Sequence, residues 1–397
     1  MLRSCLVLLL VAAPPAARAQ WQADTPLSVP RTAAAWAVLD GRLYVVGGQS
    51  AGGEVLRSGE AFTPGAGWAP IADLQDPRAG ARLVALDGKL YLVGGHDGEG
   101  PEDDLSVYDP AADRWDSDRS MQRERDGLAA GGIDGTLYAL GGADDDGVLL
   151  ADAERFDGED WLPVPAWSLT PARAGSGSAS VAGAVVVAGG FSTFGPLSQV
   201  ERFAPGGAAS LAEFPSGRGA VALAAAGDTL FAVGGRDAGD ERLPDVLRLD
   251  PAAAAWTDLP SLPEPREDAV AAVLGGDLYV AGGTGAFGSV LATVVRLSAV
   301  VVADEPVAAG TGLTLRHAGP NPARGLVELW AATERHETAR VAVYDVRGRE
   351  VAVLHDGPLG PPGRPLRWAC SGFPAGVYLA RLTTPSGRRA LRVATAR

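Results

Sequence analysis

The sequence contains very little cysteine and histidine. Of its 397 residues, two are cysteine and four are histidine, and His96 is the only histidine before position 317. Cys5 lies in a hydrophobic leader, which leaves Cys370 without a partner for an intramolecular disulfide. No Gly-x-Ser-x-Gly elbow is present either. These shortages argue against a disulfide-stapled scaffold and against a histidine-dependent nucleophilic triad.

Long hydrophobic runs are also missing. Residues 1–19 have the pattern of a signal peptide, with Arg3 at the start, an apolar run from Cys5 to Ala13, and a small-x-small cleavage site ending at Ala19. The apolar run is too short to span a bilayer, and no other segment reaches spanning length. We therefore expect an exported protein that does not span a membrane and is secreted or attached to the cell surface after cleavage near Ala19.

Positive charge is scarce in most of the chain. Residues 1–315 carry 21 Lys and Arg against 42 Asp and Glu, a net charge of −21, whereas residues 316–397 carry 13 Arg against 6 acids, a net charge of +7; together they give −14. This asymmetry predicts two units with separate tasks. An acidic body repels nucleic acid, so no nucleic-acid partner is expected.

Glycine pairs punctuate the acidic part at regular intervals. A pattern such as LDGRLYVVGG (39–48) occurs six times, and its glycine pairs end at positions 48, 95, 142, 190, 235 and 283. A stretch of small residues precedes each pair, and an aromatic or leucine follows it after 13 or 14 residues. Four copies then add a tryptophan: Trp68, Trp115, Trp161 and Trp256. Each copy predicts four short strands, and repeated four-stranded sheets bury their faces by stacking around an axis.

The six repeats resemble Kelch repeats over residues 21–298, although the fourth lacks its tryptophan and the third lacks its Pro-Arg. The resemblance implies an all-β fold with a six-bladed propeller at 20–298. The distance from Trp21 to Arg31 equals that from Trp68 to Arg78, and the sixth repeat ends without its tryptophan strand. We therefore predict that the N-terminal segment supplies the fourth strand of the last blade and closes the ring. The repeated arginines are expected to pair with acids such as Glu60 between blades.

A binding mouth is predicted where the strands ending at the glycine pairs meet, because loops on a rigid scaffold usually carry recognition. Its candidate residues, for an unknown protein or glycan ligand, are Gln49, His96, Phe191, Arg236, Thr284, Arg266, Glu267 and Asp268. No catalytic residue and no metal ligand is assigned, and no cofactor is expected. The acidic run 144–146 lacks the spacing of a calcium loop, and the copper-radical oxidases among Kelch propellers need paired histidines and a cysteine-modified tyrosine that this sequence lacks.

The basic C-terminal part has a different pattern. Residues 299–319 form a small-residue linker, and apolar and polar residues then alternate in segments such as 326–330 and 340–346, which predicts a small β-sandwich. With Pro320-Asn321-Pro322, Trp368 and the segment 372–382, residues 320–397 resemble the C-terminal sorting domain of type IX secretion substrates. The resemblance implies an Ig-like domain that the type IX secretion machinery recognises as its partner. A fibronectin-like accessory or sugar-binding module is the alternative.

The predicted function is therefore that of an exported Kelch propeller acting as a binding module and delivered across the outer membrane by its sorting domain. A carbohydrate-active enzyme is the alternative, because secreted six-bladed Kelch proteins include a sialic-acid mutarotase family, and Glu267 or Asp268 beside Arg266 offers acid–base groups. A surface protein without a defined ligand is a third reading.

Overall fold

The computed structural model describes residues 20–250, 255–298, 300, 314–317, 323–333, 335–345, 349–361, 363–374, 376–384 and 387–396. The predicted signal peptide, most of the predicted linker and the motif at 320–322 lie outside these ranges. The described residues form strands and turns but no helix. The chain divides into two compact units, residues 1–300 and 301–397.

The first unit contains six four-stranded antiparallel sheets, numbered here along the chain. Their strands run inner to outer as follows. Sheet 1 contains Ala35–Leu39, Arg42–Val46, Gly59–Thr63 and Gly67–Ile71. Sheet 2 contains Arg82–Leu86, Lys89–Val93, Leu105–Asp109 and Arg114–Ser117. Sheet 3 contains Ala129–Ile133, Thr136–Leu140, Asp152–Phe156 and Trp161–Ser168.

The remaining three sheets repeat this order. Sheet 4 contains Gly177–Val181, Ala184–Ala188, Val200–Ala204 and Gly207–Ser210. Sheet 5 contains Ala222–Ala226, Thr229–Val233, Val246–Leu249 and Thr257–Asp258. Sheet 6 contains Val270–Leu274, Asp277–Ala281, Val294–Leu297 and Trp21–Asp24. Two short pairs lie outside the sheets: Phe191–Ser192 with Gly195–Pro196, and Arg266–Glu267 with Thr284–Gly285.

The inner strands form a closed ring. Each contacts the inner strand of the next sheet, and the contact between sheets 6 and 1 completes the circle. Small residues dominate these strands because little room exists near the axis. Buried clusters fill the wedge between neighbouring sheets, as where Tyr44 and Val46 pack against Leu90 and Leu92. The hydrophobic core is therefore distributed between the sheets.

The outer strand of sheet 6 comes from the other end of the unit. Trp21 pairs with Leu297 and Asp24 with Val294 in antiparallel register. This places the N-terminal segment where the Trp21–Arg31 spacing predicted it. The Trp21 indole N–H donates to the Pro260 carbonyl at 2.9 Å. The same bond to the segment after the preceding outer strand recurs at Trp68, Trp115, Trp161 and Trp256.

Sheet 4 lacks the repeat tryptophan, and a tryptophan from sheet 3 fills the gap beside it. Ala208 pairs with Phe203 at the position that tryptophan occupies opposite an aromatic in sheets 1 to 3. The outer strand of sheet 3 is longer than the others and shifts register, which brings Trp167 into the gap. Trp167 is 4% exposed, stacks on Tyr138 at 4.4 Å and lies 5.7 Å from Phe203.

The second unit contains two sheets. Thr314–His317, Leu326–Ala332 and Arg364–Ala369 form a three-stranded sheet. Ala323–Arg324, Gly387–Ala396, Gly376–Thr384, Glu337–Tyr344 and Glu350–Leu359 form a five-stranded sheet in that spatial order.

Both sheets of the second unit contribute to one buried cluster, as a sandwich requires. Trp368 of one sheet meets Tyr378 of the other edge-on at 4.8 Å. Cys370 is buried and forms no disulfide among the described residues. The strand Thr314–His317 lies inside the segment predicted as linker, so the second unit's sheet begins before residue 320.

Candidate functional site: the mouth of the channel

The six repeated arginines are structural. They are 0 to 5% exposed: Arg31, Arg78, Arg125, Arg173, Arg218 and Arg266. In five of them the Nη1 atom donates to the carbonyl of the first glycine of the same repeat's pair. Buried or partly buried acids balance the charge, as where Arg125 lies 2.9 Å from Glu154 and Arg173 lies 2.6 Å from Glu201. These bonds tie each connecting segment to the end of a glycine-pair strand.

Arg266 belongs to this group and does not line the mouth. Its Nη1 donates to the Gly282 carbonyl at 3.0 Å and its side chain is 1% exposed. The adjacent Glu267 points the other way, because successive side chains in an extended segment alternate in direction. Arg266, predicted as a mouth residue together with Glu267, therefore lies outside the mouth.

The remaining predicted residues do lie at one end of the channel. Each residue that follows a glycine pair bridges to the residue after a repeated arginine, as Gln49 does with Thr32 and His96 with Ala79. Thr284 pairs with Glu267 in the same way. We call this set the mouth ring; it contains Gln49, His96, Ala143, Phe191, Arg236 and Thr284.

A second ring lies inside the first. The second residue after each repeated arginine has a positive φ angle: Ala33, Gly80, Gly127, Gly175, Ala220 and Asp268. Five of these residues donate their backbone N–H to the carbonyl of a neighbouring member at 2.8–3.2 Å. Because the left-handed region disfavours side chains, Ala33, Ala220 and Asp268, at φ 48–52°, are the less favourable members of this ring. Gly80 has a further constraint, since a Cβ atom there would overlap Asp126 Oδ1.

Glu267 organises one side of the mouth. It is 7% exposed and forms ion pairs with Arg236 Nε at 2.9 Å and Arg242 Nη2 at 2.8 Å. The Arg236 guanidinium also lies 4.9 Å from the centre of the Phe191 ring, a cation–π distance. Three predicted residues, Phe191, Arg236 and Glu267, are thus brought together.

The other predicted mouth residues are engaged more loosely. Thr284 Oγ1 donates to Thr32 Oγ1 at 2.9 Å. Gln49 Nε2 donates to the Gly53 carbonyl of its own loop at 3.0 Å. His96 is half-buried beside Gly80. These side chains surround the opening without forming a charged cluster.

Below the rings lies a cavity of about 260 Å³, lined by the inner strands of all six sheets. Its walls are mainly Ala, Val, Gly and Ser, but Arg82 and Asp268 reach into it. Arg82 begins the inner strand of sheet 2, and its Nη2 donates to the Ser176 carbonyl, just ahead of sheet 4, at 2.6 Å. The guanidinium therefore passes sheet 3 and extends across the channel.

Charge in the channel shifts the titration of Asp268. The carboxylate is accessible to a water molecule but has protein on all sides, so loss of bulk hydration raises its pKa, and Glu267 raises it further. Arg82 and Arg236 oppose this rise, and the resulting pKa of Asp268 is about 6. Enclosure also lowers the pKa of Arg82, against the attraction of Asp268 and Asp126. Asp126 Oδ1 is buried without a hydrogen-bond partner among the described residues.

Sequence reasoning missed Arg82 and Asp126. Arg82 stands where the other repeats have Ala, Gly or Val, and Asp126 stands at a position where only the sixth repeat has another acid, Glu267. The fourth residue after the repeated arginine is Ala35, Arg82, Ala129, Gly177, Ala222 or Val270, and the first is Thr32, Ala79, Asp126, Ala174, Gly219 or Glu267. A position-by-position alignment of the six repeats would have identified Arg82 as the exception at its position and paired Asp126 with Glu267.

The described residues contain neither a candidate metal site nor a candidate membrane-spanning helix. Within the described ranges, no three His, Cys, Asp or Glu side chains are arranged to hold a metal ion. In the same part of the chain no helix is long and apolar enough to cross a membrane.

Comparison with known proteins agrees with this architecture. The family model of the KLHDC2/KLHL20/DRC7 Kelch-repeats domain matches residues 80–283. Kelch-like protein 33 of Homo sapiens is 34% identical over 143 residues, which are 34% of this chain and 26% of that protein, so the chain spans about a quarter of this relative. The solved structure of YjhT superimposes with a TM-score of 0.60 at 16% identity, covering 69% of this chain and 96% of that one, and shows a shared fold. Because the family model matches just over half of the chain, the protein belongs to the Kelch-repeat family.

Proposed function

We propose that this protein is an exported Kelch propeller of six blades that binds a glycan end through the mouth of its channel. The observation that carries the proposal is that Arg82 and Asp268 both reach into the cavity, with the Asp126 carboxylate near enough to interact electrostatically with both. Charged side chains are costly so near the axis, where the other repeats have small residues. A ligand that hydrogen-bonds to them would offset that cost.

The chemistry of the cavity favours a hydroxylated ligand. Arg82 uses one Nη2 bond on the Ser176 carbonyl, and a guanidinium has further N–H donors. The Asp268 carboxylate can accept hydrogen bonds from hydroxyl groups. A volume of about 260 Å³ lies just below the range of drug-sized pockets, which suits a single sugar unit.

Binding can be tested with the full chain on a glycan array. We expect Arg82→Ala and Asp268→Asn to remove the signals that the unchanged protein gives. The matched control is Arg57→Ala, because Arg57 is an exposed arginine outside the channel. Glycan signals that survive both channel substitutions would refute binding at the mouth, and a blank array for the unchanged protein would refute glycan binding.

A second candidate function is sugar mutarotation, and the Asp268 pKa of about 6 favours it. Mutarotation removes a proton from the anomeric hydroxyl, protonates the ring oxygen and breaks the ring C–O bond; the open-chain carbonyl then recloses on its other face. A carboxyl group with a pKa near neutrality can both accept and donate this proton. Arg82 would stabilise the negative charge that forms on oxygen.

NMR measurement of anomer exchange in free sialic acid tests this candidate. We expect faster exchange than in buffer, and about 100-fold or greater loss of that acceleration with Asp268→Asn. The substitution Glu267→Gln tests whether its neighbour contributes. Exchange at the buffer rate with the unchanged protein would eliminate the mutarotase reading while leaving glycan binding open.

We also propose that the second unit is an Ig-like sorting domain read by the type IX secretion machinery and that residues 1–19 are a cleaved signal peptide. The basic charge of 316–397, the two-sheet sandwich, and the likeness at Trp368 and the segment 372–382 support this proposal. Deletion should remove residues 301–397, because a cut at 320 would leave the strand Thr314–His317 without its sheet. We expect the shortened protein to stay in the periplasm; surface display or release would contradict the sorting role.

A further inference from the structure

Two hairpin tips at the mouth each present a phenylalanine to solvent. Phe194 is 93% exposed and Phe287 is fully exposed, whereas the next most exposed large apolar side chain of the described residues is Val148 at 54%. Each phenylalanine lies three residues after the mouth-ring member of its sheet, Phe191 or Thr284. Contiguous exposed apolar surface marks interaction sites, whereas scattered single residues are ordinary, so the case for a partner depends on what surrounds these two side chains.

The hairpins hold these side chains outward. In the first, Phe191 pairs with Pro196, and the Phe194 N–H donates to Ser192 Oγ at 3.1 Å. In the second, Thr284 bridges to Val290, and the Gly288 N–H donates to the Gly285 carbonyl at 2.9 Å. Both tips are therefore hydrogen-bonded turns next to the mouth ring. Ordered backbone holds the two phenylalanine side chains in place.

Charge is distributed unevenly over the same set of loops. Residues 96–104 contain five acids and no Lys or Arg, a charge of −5, and residues 143–152 contain four acids and no Lys or Arg, a charge of −4. Residues 191–199 and 284–293, which carry the two phenylalanines, contain no charged residue. Some acids pair within the protein, as Asp144 does with Arg123 at 3.2 Å. The loop of sheet 5, residues 236–245, lies between the two phenylalanine hairpins and contains two Arg and four acids. The loops of sheets 2 and 3 are thus acidic, and the two uncharged hairpins stand on either side of a loop of mixed charge.

We propose that this end of the propeller docks a protein segment that combines lysine or arginine with large apolar residues. The acidic loops of sheets 2 and 3 would receive the basic residues, and Phe194 and Phe287 would pack against the apolar ones. Complementary charge steers such a segment and sets its orientation, while buried aromatic side chains supply most of the affinity. The inference does not depend on the cavity or on its ligand.

The experiment uses the full chain and fluorescein-labelled peptides in which basic and large apolar residues are varied independently. We expect peptides with both features to bind. Peptides with only one feature should bind at least about tenfold more weakly. The double variant Phe194→Ser, Phe287→Ser should weaken binding of the mixed peptide about tenfold or more. Added salt should weaken it as well, because the acidic loops are exposed.

Two control variants lie away from this end. Leu162→Ser removes a partly exposed apolar side chain from the outer strand of sheet 3. Glu159→Gln with Asp160→Asn neutralises two acids of a hairpin at the opposite end of that sheet. This control is matched to the test variant Asp145→Asn with Asp146→Asn, which neutralises two acids of the sheet 3 loop at the mouth. The controls should leave affinity unchanged, and the Asp145, Asp146 variant should lower it.

Three results would overturn the proposal. Equal binding by the unchanged protein and the double phenylalanine variant would show that the two phenylalanines do not anchor the segment. Phenylalanine-dependent self-association in analytical ultracentrifugation would make the partner a second copy of this chain. Phenylalanine-dependent partition into phosphatidylcholine vesicles would make it a lipid surface.

Discussion

Replacing Trp167 by alanine should destabilise the propeller as much as removing a repeat tryptophan. Trp167 fills the aromatic site that the fourth repeat lacks, is 4% exposed, and contacts Tyr138 and Phe203. Large-to-small changes at such buried aromatic sites cost about 3–5 kcal/mol. Each aromatic pair contributes roughly 0.5–1.5 kcal/mol of that loss beyond burial. For a domain of this size the melting temperature should fall by roughly 2 °C per kcal/mol, or about 6–10 °C.

The assay is urea unfolding followed by circular dichroism, since the substitution itself alters tryptophan fluorescence. Trp161→Ala in the same strand is the matched comparison, because its ring lies 5.5 Å from Phe156 and its indole N–H donates to Arg119. Leu162→Ala, on the exposed face, should cost less than about 0.5 kcal/mol. A loss for Trp167→Ala no larger than for Leu162→Ala would refute the substitute role.

A second variant asks whether Trp167 occupies the space of the missing repeat tryptophan. Ala208 pairs directly with Phe203 and is exposed. Ala208→Trp should leave the unchanged protein near its original stability but recover part of the loss in the Trp167→Ala background. Additive effects of the two substitutions would show that the two positions do not share a site.

Three further predictions concern buried charge and ring closure. Arg125→Met should lower the free energy of unfolding by about 3–5 kcal/mol, because it leaves the Glu154 carboxylate buried without its cation. The pKa of Asp268, about 6 in the folded protein, lies above its unfolded value, so ionisation opposes folding; stability relative to Asp268→Asn should fall as pH rises from 4 to 7. Arg82→Ala should raise that pKa further, measured by carboxyl-carbon NMR. Deleting residues 20–30 should lower the melting temperature sharply, measured by calorimetry, because sheet 6 loses its outer strand.

Their controls are simple. Arg57→Met removes an exposed arginine and should cost no more than about 1 kcal/mol; a similar cost for the buried arginine would contradict the first prediction. A stability difference between the Asp268→Asn variant and the unchanged protein that stays constant from pH 4 to 7 would contradict the second, as would an Asp268 pKa that Arg82→Ala leaves unmoved. An unchanged melting temperature after the deletion would mean that the ring closes without the N-terminal strand.

The fold could be predicted from the sequence because its signals repeat. The candidate site could not, because its residues depart from the repeat. The glycine pairs, the spaced aromatics and the Trp21–Arg31 distance recur at fixed intervals, so they predict the sheets and the N-terminal strand directly. Arg82 lies in a stretch that otherwise looks like every other small-residue inner strand. Its importance depends on reaching the Ser176 carbonyl on another sheet, and no local pattern encodes that distance.

Three other differences between the sequence prediction and the structure have identifiable physical causes. Arg266 and Glu267 are neighbours in sequence, but their side chains alternate in direction, so one is interior and the other faces the mouth. Trp167 lies outside the repeat spacing, because a register shift in the strand carries it into the neighbouring gap. The short strand Thr314–His317 forms because it pairs with Leu326–Ala332. This is a tertiary contact, and the small residues around the strand do not predict it.

The strand pairing of sheet 6 makes the first unit a circle in space. The Gln22 and Arg296 side chains bond to each other although 274 positions separate them along the chain. The outer edge of sheet 6 therefore stays uncovered until both ends of the unit are available, and closure waits for the most distant pairing in the domain. Since Trp21 lies beside Leu297, a short peptide could join them and new termini could open between any two sheets. The order in which the repeats are written is thus one of several that would fold to the same ring.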